Sequence, residues 1–148
     1  MATASHTTTV KQNQQDVWSF VSDMEKWAKL VPGYRQHEMM NEKQSKWTFA
    51  GNVGILKKSV EVQIDITNWQ EPSKIEFDLT GLTDKFTGSG YFEAKVIDEQ
   101  TTEMTGHLEI KAGGIASAVL NPIFSAVLPK ATTMLTERVA NKIQAIHA

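Results

Sequence analysis

The sequence predicts an α+β fold: a curved antiparallel sheet wrapped around a long C-terminal helix, with two short helices after the first strand. Three observations carry it. From Lys46 to Gly114 successive segments alternate apolar and polar residues, one parity of every segment carries no ionisable side chain, and from about Ile115 to Ile146 the apolar repeat lengthens to three or four. A sheet that is dry on one side needs a cover, and the C-terminal helix supplies it. A gap left between the two is an apolar pocket; with no gap it is a core.

At 148 residues the chain makes one domain, 1–148, able to bury roughly 70% of its unfolded surface without cross-links. It has no cysteine, which excludes disulfides, thiolate catalysis and cysteine-ligated zinc or iron–sulfur sites. The net charge is −2, and the basic residues are scattered singly apart from Lys57 and Lys58. No stripe exists to neutralise phosphates, so nucleic acid is not an expected partner. Met1–Lys11 lacks the basic and apolar regions of a secretory signal, and the uncharged stretch Ala112–Pro129 falls short of the ~20 apolar residues of a membrane span. A cytoplasmic location is expected, with any membrane contact peripheral.

The elements follow in order. Thr3 to Lys11 alternates loosely and predicts a first strand. Asn13 is placed as a helix N-cap with Asp16 three positions on, and Val17, Phe20, Val21, Met24, Trp27, Leu30 and Val31 form the stripe of a helix lying on a sheet, restarted near Asp23. Pro32 and Gly33 stop it. Strands are predicted at about Tyr34–Asn41, Lys46–Gly54, Leu56–Trp69, Lys74–Leu82, Thr87–Ile97 and Thr102–Ala112, joined by short turns such as Glu71–Ser73 and Asp84–Lys85.

Their inward parities read Trp47, Phe49, Gly51, Val53, Ile55; Val60, Val62, Ile64, Ile66; Ile75, Phe77, Leu79; Phe92, Ala94, Val96; and Met104, Gly106, Leu108, Ile110. Gly88 and Gly90 share that parity and permit a bend of the sheet. The helix stripe is Leu120, Phe124, Val127, Ala131, Leu135, Val139, Ile143 and Ile146, roughly 45 to 50 Å long. Asn121 and Pro122 read as an N-cap and first residue of a restart, and Pro129 is expected to kink or break the run.

Residues that carry chemistry are few. His6, His37, His107 and His147 show no metal-ligand spacing, and His37 and His107 fall on outward parity, so no metal and no catalytic histidine are expected. Glu61, Asp65, Glu76, Asp78, Glu93 and Glu109 sit opposite the apolar residues of their strands, which makes them a solvated face. Neither Gly88–Gly90 nor Gly113–Gly114 has the pattern of a phosphate cradle, and no cofactor is expected.

The candidate ligand-binding residues are the inward side chains Trp47, Phe49, Val62, Ile64, Phe77, Leu79, Phe92 and Leu108 with the facing helix residues Phe124 and Leu128. A second apolar stripe, Ile115, Val119 and Ile123 with Ala116 nearby, lies about 100° around the helix. It reads either as burial beneath the Trp18–Val31 helices or, with Pro129 as hinge, as a gate or membrane-touching lip.

The order of strand, two short helices, six-stranded meander and long helix resembles the helix-grip fold of the Bet v 1-like, START-like (SRPBCC) superfamily. Val17–Asp23 leading to Leu30–Gly33, Phe49–Gly54 running into Val60–Val62, Trp69–Pro72 and Gly88–Phe92 are similar to the CoxG-like family, associated with carbon monoxide dehydrogenase. The resemblance implies a cavity between sheet and helix that takes an apolar ligand, lipid or isoprenoid quinone. CoxG-like proteins commonly extend beyond this helix toward a membrane attachment, whereas this chain ends at Ala148, so a generic carrier of a hydrophobic metabolite is expected. Two rival expectations use the same fold: a polyketide cyclase or dehydratase, marked by an ionisable group reaching the pocket, and a module for a protein partner or homodimer, marked by a collapsed pocket.

Overall fold

The computed structural model describes residues 2–53, 56–83, 85–115 and 117–147, with the backbone alone for 50–53 and 56–58. The expected inward residue Ile55, the strand-end residue Gly54, the turn residue Asp84 and the stripe residue Ala116 lie outside the described residues. The elements are β1 (Ala2–Val10), α1 (Gln14–Val21), α2 (Met24–Trp27), a 3-10 turn (Ala28–Leu30), β2 (Tyr34–Met39), β3 (Gln44–Val53), β4 (Leu56–Gln70), β5 (Lys74–Gly81), β6 (Phe86–Asp98), β7 (Thr101–Ala112) and α3 (Ser117–Ile146). The strands form one antiparallel sheet in the order β1-β7-β6-β5-β4-β3-β2. Hairpins connect β2 through β7, and β1 lies along β7 from Ala2 opposite Ile110 to Val10 opposite Thr102. This is the predicted helix-grip architecture.

Local signals hold at the helix starts. Asn13 Oδ1 accepts the Asp16 amide at 2.8 Å, and Asp23 Oδ1 accepts the Glu25 amide at 3.0 Å, so each satisfies a donor the first turn leaves free. Gly33 closes the helical segment at φ 79°, a conformation that residues with a Cβ avoid.

The helix is neither restarted nor broken at its prolines. α3 runs unbroken from Ser117 to Ile146 through Pro122 and Pro129. Each proline frees the carbonyl four residues back, that of Ala118 or Ser125, and all four residues are exposed, so water reaches the freed acceptors. Asn121 is not a cap. It sits inside α3, where Oδ1 accepts the Ala112 amide at 2.8 Å and Nδ2 donates to the Ala112 carbonyl at 3.4 Å, tying the front of the helix to the end of β7.

The buried face of α3 is also rotated from the expected stripe. Leu120, Leu128, Thr132, Thr136, Val139, Ala140 and Ile143 are buried, whereas Val127, Ala131 and Leu135 are half-buried and Ile146 is exposed. The cause lies under the helix. α3 rests on β1 and β7, whose inward positions include Ala2, Ala4 and Gly106; a Cβ built on Gly106 would stand 2.6 Å from Thr136 Oγ1. Backbones that approach so closely admit threonine where leucine would overfill.

Two packing regimes result. At one end Val10, Val17, Trp18, Phe20, Met104, Val139 and Ile143 form a dry cluster between α1, the sheet and the back of α3. At the other, Val62, Leu79, Phe86, Ala112 and Leu120 are buried but their neighbours Phe49, Val60, Ile64, Phe77, Leu108, Ile110 and Phe124 are only partly so. Val96, expected inward, is 55% exposed at the end of β6 beside a register shift.

Candidate ligand site

The open half of the interior is built from the sheet upward. Inward parity puts Phe49 opposite Val60, Ile64 opposite Leu79 and Phe77 opposite Gly90. Gly90 is required there: a Cβ would lie 2.7 Å from Phe77 Cζ, so the ring lies across the glycine. Across the gap Phe124 meets Phe86 edge to face at 5.6 Å, and Leu128 packs on Ala2 and Ala4 while touching Leu108 and Phe124. These side chains point inward yet keep some contact with solvent.

Of the ten expected lining residues, Phe49, Val62, Ile64, Phe77, Leu79, Leu108 and Phe124 share this cluster, and Leu128 borders it. Phe92 packs instead against the dry cluster. Trp47 is 1% exposed, stacked by Trp27 at 5.6 Å, His37 at 4.9 Å and Phe49 at 6.0 Å, with its indole N–H donating to the buried Ser45 Oγ at 2.8 Å. It supports the wall from behind.

The stripe expected to act as a gate is only partly covered. Ile115 is fully exposed, Val119 is 51% exposed and Ile123 is half-buried. The short helices pack on the back of α3, where Arg138 donates to the Leu30 carbonyl at 3.0 Å, and leave its front uncovered. Pro129 is exposed within the helix. By length and mean hydropathy α3 meets the requirement for a membrane span, and most of its apolar window lies at the surface; its buried face is committed to the sheet.

Two bulges place side chains that alternation alone misplaces. Between Tyr34 and Gln36 the register of β2 shifts, so His37 pairs with inward Trp47 and stands on the concave face, not the convex one. Its side chain is 7% exposed. Nε2–H donates to Glu25 Oε1 at 2.7 Å, and Nδ1 shares a 2.7 Å hydrogen bond with the Tyr34 hydroxyl. A second bulge between Ile66 and Asn68 turns Trp69 inward, opposite Ile75, to meet Trp18 edge to face at 5.5 Å.

His6 is inward as well, opposite Gly106, where Nε2–H donates to Glu137 Oε1 on α3 at 2.7 Å. Hydrogen bonds from His6 and then Thr8 hold the Glu137 carboxyl below its ordinary range. The Thr132 hydroxyl, on the buried face of α3, has no partner among the described residues.

Two open cavities lie elsewhere. One of about 350 Å³ is on the convex face and is lined by polar groups including Glu76, Asp78, Ser89, Tyr91, His107 and Glu109. There His107 Nε2–H donates to Glu109 at 3.1 Å and its Nδ1 accepts from Ser5, while Glu76 is held below the usual carboxylate range by Asn68 first and Lys74 second. The other, about 180 Å³, lies beside α2 between Met24, Met39, Ile66 and Trp69. No group of three or more metal-ligating side chains occurs among the described residues.

This architecture is a helix-grip, START-like fold, and comparison with solved structures agrees. The chain is similar to a conserved protein from Geobacillus kaustophilus (18% identity, TM-score 0.79, covering 97% of this chain and 95% of that one). It is similar to the Zhui aromatase/cyclase from Streptomyces sp. R1128 (15%, 0.75, 99% and 95%) and to a START superfamily protein from Mycobacterium smegmatis (16%, 0.71, 96% and 99%). No curated protein matches it significantly. A family model matches residues 1–145, and the fold is the one found in the START superfamily protein.

Proposed function

We propose that this protein binds and carries a hydrophobic small molecule, a lipid, an isoprenoid quinone or a compound of similar polarity, between the sheet and the front half of α3. The observation that carries the reading is the incomplete burial of Phe49, Val60, Ile64, Phe77, Leu108, Ile110 and Phe124 on the inward side of a sheet whose other end has the larger set of buried side chains. The end around Met104 and Ile143 buries more side chains than the end around Phe86 and Leu120, and an apolar wall with few polar groups suits an apolar ligand. The CoxG-like resemblance of the strand and turn residues supports the same ligand class.

Loading occurs at the membrane periphery in this reading. Ile115 and Val119 project into solvent at the front of α3, and Ala118, Pro122, Ala126 and Pro129 leave the exposed side of this half uncharged. A second reading, an enzyme acting on the same ligand, is favoured by the ionisable chain of Tyr34, His37 and Glu25 on the concave face.

Native mass spectrometry of freshly purified protein, before and after organic extraction, tests the binding reading. A mass excess that extraction removes, and that incubation with a lipid extract restores, is expected. Protein that carries no excess and takes up neither lipid nor an apolar fluorescent probe would overturn it.

A further inference from the structure

Glu25, His37 and Tyr34 form an unbroken hydrogen-bonded line from solvent to the interior. Glu25 is 67% exposed, the His37 side chain between them is 7% exposed, and Tyr34 is the register partner of Phe49 on the concave face. A carboxylate can only accept, so the 2.7 Å contact fixes a proton on His37 Nε2. The other 2.7 Å contact, Nδ1 to Tyr34, can carry its proton on either atom. With the proton on Nδ1, the Tyr34 hydroxyl hydrogen is free to point at a ligand.

The aromatic surroundings hold the geometry. Trp47 stacks on the imidazole at 4.9 Å and lies edge-on to Tyr34 at 5.8 Å, so one aromatic side chain supports both rings. An imidazole so placed between a carboxylate and a hydroxyl is the arrangement that general acid–base chemistry uses to move a proton without moving heavy atoms.

We propose that Tyr34 is a catalytic acid toward a carbonyl-bearing apolar ligand, with His37 and Glu25 as the relay that recharges it; this rests on the ligand-binding reading and adds the chemical class of the ligand. The step is an enolisation. The Tyr34 hydroxyl hydrogen passes to the ligand's carbonyl oxygen, the His37 Nδ1 proton replaces it on Tyr34, and water takes the proton from the α-carbon. Ketone, protonated relay and water thus give enol, neutral relay and hydronium. The reverse step returns a solvent proton to carbon, and no oxidant or cofactor is consumed.

The probe is 2-tetralone, an apolar enolisable ketone, incubated with the full chain in deuterium oxide. Exchange of its α-protons is followed by NMR, and its binding by chemical-shift changes of the same signals. Wild-type protein should exchange the α-protons at least roughly 10-fold faster than buffer, within the range that a positioned acid supplies. Tyr34→Phe should return the rate to that of buffer with binding retained. Glu25→Gln, at an exposed site, should lower the rate without loss of fold, and Glu25→Asp should restore part of it.

Tetralone bound without accelerated exchange, or exchange indifferent to Tyr34→Phe, would overturn the relay and leave the binding reading standing. Failure of tetralone and of apolar probes alike to bind would overturn both.

Discussion

Replacing Gly106 by Ala tests how α3 is seated, because the close approach of the helix to β7 at this glycine brings Thr136 onto the buried face. The new Cβ would stand 2.6 Å from Thr136 Oγ1, about 0.8 Å inside ordinary contact at 3.4 Å. Thr136 cannot simply rotate away, since its hydroxyl donates to the Thr132 carbonyl at 2.8 Å and is buried. Overpacking of this kind costs ~1–3 kcal/mol, and alanine's advantage over glycine in a strand returns ~0.5–1. A net loss of about 1–2 kcal/mol is expected, a fall of roughly 3–8 °C in Tm for a chain of this size.

The decisive comparison is the same substitution in a Thr136→Ala background. Once the hydroxyl is gone, the nearest remaining atom is the residue 136 Cβ at 3.8 Å, an ordinary contact, and Gly106→Ala should become neutral or slightly stabilising. Urea melts of the four proteins should therefore give a coupling of about 1–3 kcal/mol. An equal penalty in both backgrounds would refute the seating argument.

Three further outcomes follow from the same structure. Phe86→Ala should cost ~3–5 kcal/mol in a denaturant melt, since that ring is buried, whereas Phe77→Ala should cost clearly less because its ring borders open space; equal costs would mean a filled core. Ile115→Asp combined with Val119→Asp should weaken binding to liposomes while leaving Tm nearly unchanged, because both side chains are already in water; unfolding by this pair would count against a membrane-touching lip. Glu137 is depressed in the folded state, so its contribution is fully present above its ordinary value of 4.5 and is lost as pH falls through the lower folded value. Glu137→Gln should accordingly flatten the decline of Tm below about pH 4.5, as thermal melts across an acid series would show.

The sheet, the meander from β2 through β7, the cap at Asn13 and the restart near Asp23 were legible in the sequence because each rests on a local rule: alternation, a turn residue, a side-chain acceptor. What escaped has non-local causes. A bulge inserts one residue without altering composition, so the register shifts at Tyr34/Gln36 and Ile66/Asn68 sent His37 and Trp69 to the concave face although simple alternation pointed the other way. Asn121 beside Pro122 carries the signature of a cap, yet the end of β7 offers its amide a better partner pair on Ala112. Thr136 entered the buried face because of Gly106, a residue 30 positions away in the chain. The ionisable group that distinguishes a carrier from an enzyme was thus the least visible part of the site.

The contrast between the dry and the open end implies that stability is unevenly distributed along a single helix. Opening the back of α3 exposes Val139, Ala140 and Ile143 together with their partners Val10, Val17 and Met104, and so approaches global unfolding. Opening the front exposes Leu120 and Phe86 but otherwise many side chains that already touch water, and breaks the Asn121–Ala112 pair. The front amides should therefore exchange with solvent through a low-energy, sub-global fluctuation, and the back amides only through the full transition. A hydrophobic guest that fills the open end would erase that difference, turning one cooperative unit and one loose one into a single unit.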